Sequence, residues 1–129
     1  MKPRQPHLSE NCRAVSEVLG RVGDKWSVLI ITMLGNGPRR FNELKRMVDG
    51  ISQRMLTLSL RGLERDGLVT RLVTPSTPPR VDYELTPLGC SLLGPVSALS
   101  AWALKNRGDI HKARLEFDGR GKAGKTVIA

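Results

Sequence analysis

The sequence predicts a mainly α-helical domain with one small β-hairpin, an α+β class. Three observations carry that expectation. Four successive segments before residue 67 have apolar residues at helical spacing, β-branched residues concentrate in 68–85, and a further helical face follows Thr86. At 129 residues with 40% hydrophobic content, the chain is one domain long and can fold around an ordinary core without disulfides or metal.

Residues 1–11 are polar and proline-bearing and read as a flexible arm, with no apolar stretch of the kind a secretion signal needs. Val15, Val18, Leu19 and Val22 then share one face of a first helix that ends at Gly23. Asp24 can cap a second, whose inward residues are Trp26, Leu29, Ile30, Met33 and Leu34 and whose end is Gly35. Asn36-Gly37-Pro38 breaks the chain. Beyond the Arg39-Arg40 pair, Asn42 can cap a third helix with Leu44 and Val48 inward, stopping at Asp49-Gly50. Ser52 caps a fourth, in which Leu56, Leu60 and Leu63 face the core until Asp66-Gly67. Two short helices around a glycine-containing turn make a helix-turn-helix, whose second helix enters the major groove in DNA-binding proteins.

Leu68–Val73 and Val81–Leu85 read as the two strands of a hairpin, the second with Val81, Tyr83 and Leu85 inward against Asp82 and Glu84 outward. The connection, Thr74 to Arg80, is too proline-rich for sheet and carries a cation at a stiffened tip: a basic β-wing. Thr86-Pro87 opens a long helix to about Lys105, with Leu88, Leu92, Val96, Leu99 and Ala103 on one face. Pro95 should kink it, because proline offers no N–H to the Ser91 carbonyl. After Asn106 the periodicity fades. Residues 12–105 therefore form the winged helix-turn-helix domain, and 106–129 read as a flexible basic tail able to add nonspecific phosphate attraction.

The formal charge is +9, and residues 39–80 alone hold nine Lys/Arg against four Asp/Glu. That excess surrounds the fourth helix. Its outward residues Ser52, Gln53, Arg54, Thr57, Leu58 and Arg61 are of types that address bases: Gln pairs with adenine, Arg with guanine, and an apolar group meets a thymine methyl. Arg39, Arg40, Lys45 and Arg80 flank them as candidate phosphate contacts. A polar strip on a helix is also what any solvated surface helix shows; the convergence of cations on this one favours duplex DNA as partner.

Other functions find little support. His7, His111, Cys12 and Cys90 are scattered without metal-ligand or catalytic spacing, so neither metal, cofactor nor enzymatic activity is expected. Gly119 to Thr126 matches the GxxxxGK(S/T) phosphate-loop pattern letter for letter, yet only three residues follow it, too few for the helix such a loop must feed. Leu85–Leu104 is uncharged over twenty residues, but its two prolines, two glycines and three serines fit a protein-packed helix better than a membrane span. Two distant cysteines fit a reducing cytoplasm.

Particular stretches resemble the HxlR-type winged-helix transcription regulators, relatives of the MarR group. They are Gly23-Asp24-Lys25-Trp26, Arg40-Phe41-Asn42-Glu43-Leu44, Gly50-Ile51-Ser52-Gln53-Arg54-Met55-Leu56, Leu63-Glu64-Arg65-Asp66-Gly67-Leu68-Val69 and Pro78-Pro79-Arg80-Val81-Asp82-Tyr83-Glu84-Leu85-Thr86, with Gly89 and Trp102 following. The resemblance covers about Cys12 to Lys105. It implies a homodimeric, sequence-specific DNA-binding regulator, more often a repressor than an activator. It also implies an interface built from the first and last helices: Val15, Val18, Leu19, Leu92, Val96, Leu99 and Trp102. Some members sense oxidants or electrophiles through a cysteine at the position of Cys12, usually followed by proline; here Arg13 follows, a cation that favours the reactive thiolate. The other reading of Cys12 is a small packing residue at the interface; Cys90 reads as packing. A small-molecule effector would need an apolar cavity between winged domain and dimer helices. The competing function is a sequence-tolerant architectural DNA binder, and a third is a protein adaptor.

Overall fold

The computed structural model describes residues 6–128, with side chains for 10–121. The order is α1 (Pro6–Val22), α2 (Lys25–Leu34), β1 (Arg39–Arg40), α3 (Phe41–Met47), α4 (Gln53–Arg65), β2 (Val69–Thr74), β3 (Arg80–Leu85), α5 (Pro87–Cys90) and α6 (Leu93–Ile128). The chain divides into two units, Met1–Gly94 and Pro95–Ala129.

In the first unit one core joins α2, α3, α4 and the sheet: Ile30, Ile31, Leu34, Leu44, Val48, Leu56, Leu60 and Leu63 are all at most 2% exposed. Asp24 caps α2 by accepting from the Ser27 N–H at 3.1 Å, and Ser52 caps α4 by accepting from the Met55 N–H at 3.1 Å. Gly50 and Gly67 follow α3 and α4 at φ +84° and +76°, a backbone conformation in which a Cβ would be strained. The sheet is antiparallel in the order β1-β3-β2, with Arg71 opposite Tyr83 and Val73 opposite Val81.

Several expectations need correction. Residues 6–11 are not an arm but the start of α1. The Arg39-Arg40 pair is a strand, β1, lying against β3 with Arg39 opposite Tyr83. Arg40, not Asn42, precedes α3, because its N–H donates to Glu43 Oε1 at 2.9 Å and the carboxylate three residues on starts the helix early. Since β3 is flanked on both sides, Val81 to Leu85 are uniformly half-buried rather than alternating; Asp82 is largely covered and takes the Arg80 Nε–H at 2.9 Å. Leu88 is 57% exposed, unlike the buried Val96 of the face it is read to share, and Cys90, read as packing, is exposed.

The long helix expected from Thr86 is interrupted at Ser91–Leu92, between α5 and α6. Pro95 thus falls in the first turn of α6, where its missing N–H has no intrahelical acceptor, and the chain breaks just before it, at Ser91–Leu92, instead of running on as one kinked helix. In the second unit α6 continues to Ile128 instead of giving way to a tail near residue 106. Lysine, arginine, leucine and alanine after Lys105 are good helix formers, whereas the fading apolar periodicity and the basic charge had suggested a loose segment. Gly119–Thr126 lies within this helix, so it forms no phosphate-binding loop.

Candidate nucleic-acid interface

Helix α4 buries one face and offers the other. Leu56, Ser59, Leu60, Gly62 and Leu63 are buried, whereas Ser52, Gln53, Arg54, Thr57, Leu58 and Arg61 are exposed. The local hydrogen bonds decide what two of these can offer a base. Thr57 Oγ1 donates to the Gln53 carbonyl at 2.9 Å, leaving its lone pairs and methyl outward; the Ser52 hydroxyl accepts its cap bond and keeps a free O–H. Leu58 is 50% exposed and Met55 is 37% exposed, which puts two apolar groups among the polar ones.

An open groove of about 760 Å³ lies beside α3, lined by Arg40, Phe41, Asn42, Glu43 and Arg46 on one side and by Pro78 to Val81 on the other. It brings Arg40 and Arg80 together. Arg46 adds a third cation that sequence reasoning passed over, since only the fold carries the wing tip to α3. Arg80 gives its Nε–H to Asp82 and retains its terminal nitrogens for a phosphate. Lys45 is exposed outside this groove. Arg39 is differently placed: its Nη1 is 3.8 Å from Glu43 Oε2, and its Nε is buried without a hydrogen-bond partner among the described residues.

A second hollow of about 400 Å³ joins α4 to the sheet through Thr57, Arg61, Glu64, Arg71 and Tyr83. Arg61 therefore faces wing strands, and Arg71 joins it as a cation not foreseen from the sequence. Behind α4, Arg21 of α1 gives its Nε–H to Asp66 at 2.9 Å, and its guanidinium lies against Gly62, where an added Cβ would overlap it.

Cys12 and Cys90 are both free and exposed. On α1, Val15, Val18 and Leu19 are exposed; Leu92 is half-buried and packs on the core. On α6, Leu99 and Trp102 are exposed, but Val96 is only 3% exposed, which removes it from any free surface. Among the described residues no group of three or more His, Cys, Asp or Glu could hold a metal. The helical span Pro87–Gly121, which includes the α5–α6 break, is long and apolar enough to cross a membrane by length and composition alone.

Residues 21–111 match the family model described as HxlR-like helix-turn-helix. The chain belongs to the HxlR family. Along 109 residues it is 41% identical to the uncharacterized HTH-type transcriptional regulator YtfH of Escherichia coli (strain K12), covering 84% of this chain and 86% of that one. The structure of the redox regulator HypR in its reduced form superposes with a TM-score of 0.72 at 39% identity, over 77% of this chain and 98% of HypR. The reduced transcriptional regulator YodB from Bacillus subtilis does so at 0.61 and 35%, over 78% and 92%. This HxlR-family chain is thus a transcriptional regulator of helix-turn-helix type, a non-enzymatic class, and the family implies DNA as partner. Its α3–α4 pair and three-stranded wing are the winged helix-turn-helix.

Proposed function

We propose that this protein acts in the cytoplasm as a homodimeric repressor that reads a twofold-related operator with α4. The observation that carries the reading is that α4 exposes Ser52–Arg61 as one polar face while α3 and the wing gather Arg40, Arg46 and Arg80 in one groove: base-reading types on one helix and candidate phosphate ligands on the elements that follow and precede it. Gln53, Arg54, Thr57 and Leu58 reach the base edges. Arg40, Arg80 and the exposed Lys45 hold the backbone, and Arg61 works beside the wing. Arg39, tied to Glu43, contributes least. Val15, Val18 and Leu19 on α1, and Leu99 and Trp102 on α6, supply apolar surface for the second copy.

Binding of the reduced protein to labelled duplex from beside its own gene, followed by fluorescence anisotropy across a salt series with excess scrambled competitor, tests this. The expected result is binding that survives competitor and gives a twofold-related footprint. Loss of all binding to competitor would favour an architectural role, and no binding at low salt would refute DNA recognition.

Cys12 supports a redox arm to the same function. It is free and exposed on α1, a helix assigned here to the dimer surface, and the chain resembles the redox regulator HypR. Diamide treatment should change operator affinity in the parent and leave Cys12→Ser unaffected. An equal response in both proteins removes Cys12 from the mechanism.

A further inference from the structure

Two kinds of contact hold α4 within its unit. Leu56, Leu60 and Leu63 bury its inner face, and burial of this kind is non-directional: it keeps the helix on the core but sets its tilt only loosely. Hydrogen bonds are directional. At its start, α4 is capped by Ser52 from within its own segment. At its far end it is tied to α1, where the Arg21 Nε–H meets Asp66 Oδ2 at 2.9 Å, the only hydrogen bond or ion pair between α1 and α4 among the described residues. Thr86 adds a bond from the α5 cap, its hydroxyl donating to the Gly67 carbonyl at 2.6 Å.

Two residues of α4 are explained by this arginine. Asp66 is the C-cap, and a carboxylate beside the negative end of the helix dipole is unfavourable by itself; a guanidinium bonded to it supplies the favourable sign. Gly62 lies inside the helix, where glycine is less stable than alanine. The three heavy atoms nearest the place of its missing Cβ all belong to the Arg21 guanidinium. The glycine therefore leaves the seat that the arginine fills, and the aspartate fixes the arginine in it.

The position of this clamp matters for what α4 reads. Asp66 is 12 residues beyond Arg54, so it stands about 18 Å along the axis from it. A tilt of about 5° at that end moves the Arg54 backbone by about 1.5 Å, several times the spread of good hydrogen-bond lengths. Long side chains on phosphates can follow such a shift, whereas paired hydrogen bonds to a base edge cannot.

We propose that Arg21 is a positioning residue for base reading: seated on Gly62 and bonded to Asp66, it holds α4 at the tilt in which Gln53 and Arg54 meet the bases, while itself touching no DNA. This rests on the proposed reading of an operator by α4.

The test is fluorescence anisotropy on operator and scrambled duplex with three variants, at a temperature where circular dichroism shows each of them folded. Arg21→Ala lowers the charge of the chain by one, Asp66→Asn raises it by one, and Gly62→Ala leaves it unchanged while displacing the guanidinium. All three should weaken the operator about 3- to 30-fold, because a partly exposed pair contributes little in one subunit but counts twice in a dimer, and should alter scrambled duplex by no more than about twofold. Arg21→Ala combined with Asp66→Asn should match the single variants, since one contact is lost in all of them. An operator-to-scrambled ratio within about twofold of the parent's in either Arg21→Ala or Asp66→Asn overturns the positioning role. So do affinities that follow charge, with Arg21→Ala weakening and Asp66→Asn tightening both duplexes. A parent that binds the two duplexes alike is a different failure: it overturns base reading by α4, and the positioning role falls with it.

Discussion

Replacing Arg54 by alanine separates base reading from charge attraction. Arg54 is exposed in the first turn of α4 and forms no ion pair among the described residues, so its removal should change stability by no more than about 0.5 kcal/mol. If it meets a guanine with two hydrogen bonds, each subunit loses about 1–3 kcal/mol of discrimination. A dimer on a twofold operator loses about twice that, some 2–6 kcal/mol, or between about 30-fold and 10⁴-fold in affinity. Random duplex should lose far less, because there Arg54 supplies at most one phosphate contact per subunit. Arg80→Ala provides the contrast. It removes a groove cation, should weaken both DNAs alike, and should flatten the slope of log affinity against log salt by about 0.9 per subunit. Anisotropy titrations of parent and variants on operator and scrambled duplex, at four or more salt concentrations, measure both. Equal losses of Arg54→Ala on the two DNAs would refute base reading by this residue.

Three stability predictions probe the frame that holds α4. Ser52→Ala should cost about 1 kcal/mol by freeing the Met55 N–H, and Ser52→Gly only a few tenths, read as midpoints in urea. Gly62→Ala gains about 0.5–1 kcal/mol of helix propensity but displaces the Arg21 guanidinium, whose pair with Asp66 is about one-third exposed and worth about 0–1 kcal/mol. The net shift should be near zero, and Arg21→Ala should then add nothing in the Gly62→Ala background; a further loss there would place the arginine's contribution elsewhere. Gly89→Ala has no such relief, since its Cβ would overlap the Leu68 backbone carbonyl beside the hairpin; a loss above about 2 kcal/mol, seen as a lowered Tm, is expected.

The helices were legible where one physical signal acted alone. Asp24 and Ser52 capped as their side chains suggested, and Leu56, Leu60 and Leu63 are buried as their spacing required. The misses came where two signals competed. At α3, Asn42 is a better capping type than Arg40, but Glu43 binds the Arg40 N–H and wins the start. On α6, the apolar periodicity fades after Asn106, so neither hydrophobicity nor amphipathicity marked the helix that continues to Ile128. Arg46 and Arg71 were out of reach for another reason: their places in the two hollows depend on which strands and helices meet, a long-range outcome that no local pattern encodes.

The Arg39-Arg40 pair shows how a small element changes a functional assignment. Read as a turn, both residues are loose cations and equivalent candidates for phosphate. As strand β1 they are consecutive residues of a pleated chain, so their side chains leave on opposite faces of the sheet. Only one can line the groove that Arg80 borders, and it is Arg40. Arg39 is turned toward Glu43, the same carboxylate that starts α3 by accepting the Arg40 N–H. Glu43 thus serves both neighbours, holding one arginine back and fixing the backbone of the other where the helix begins. The groove-facing charge of this segment is set by the pairing of two strand residues with β3 rather than by the number of cations in the sequence.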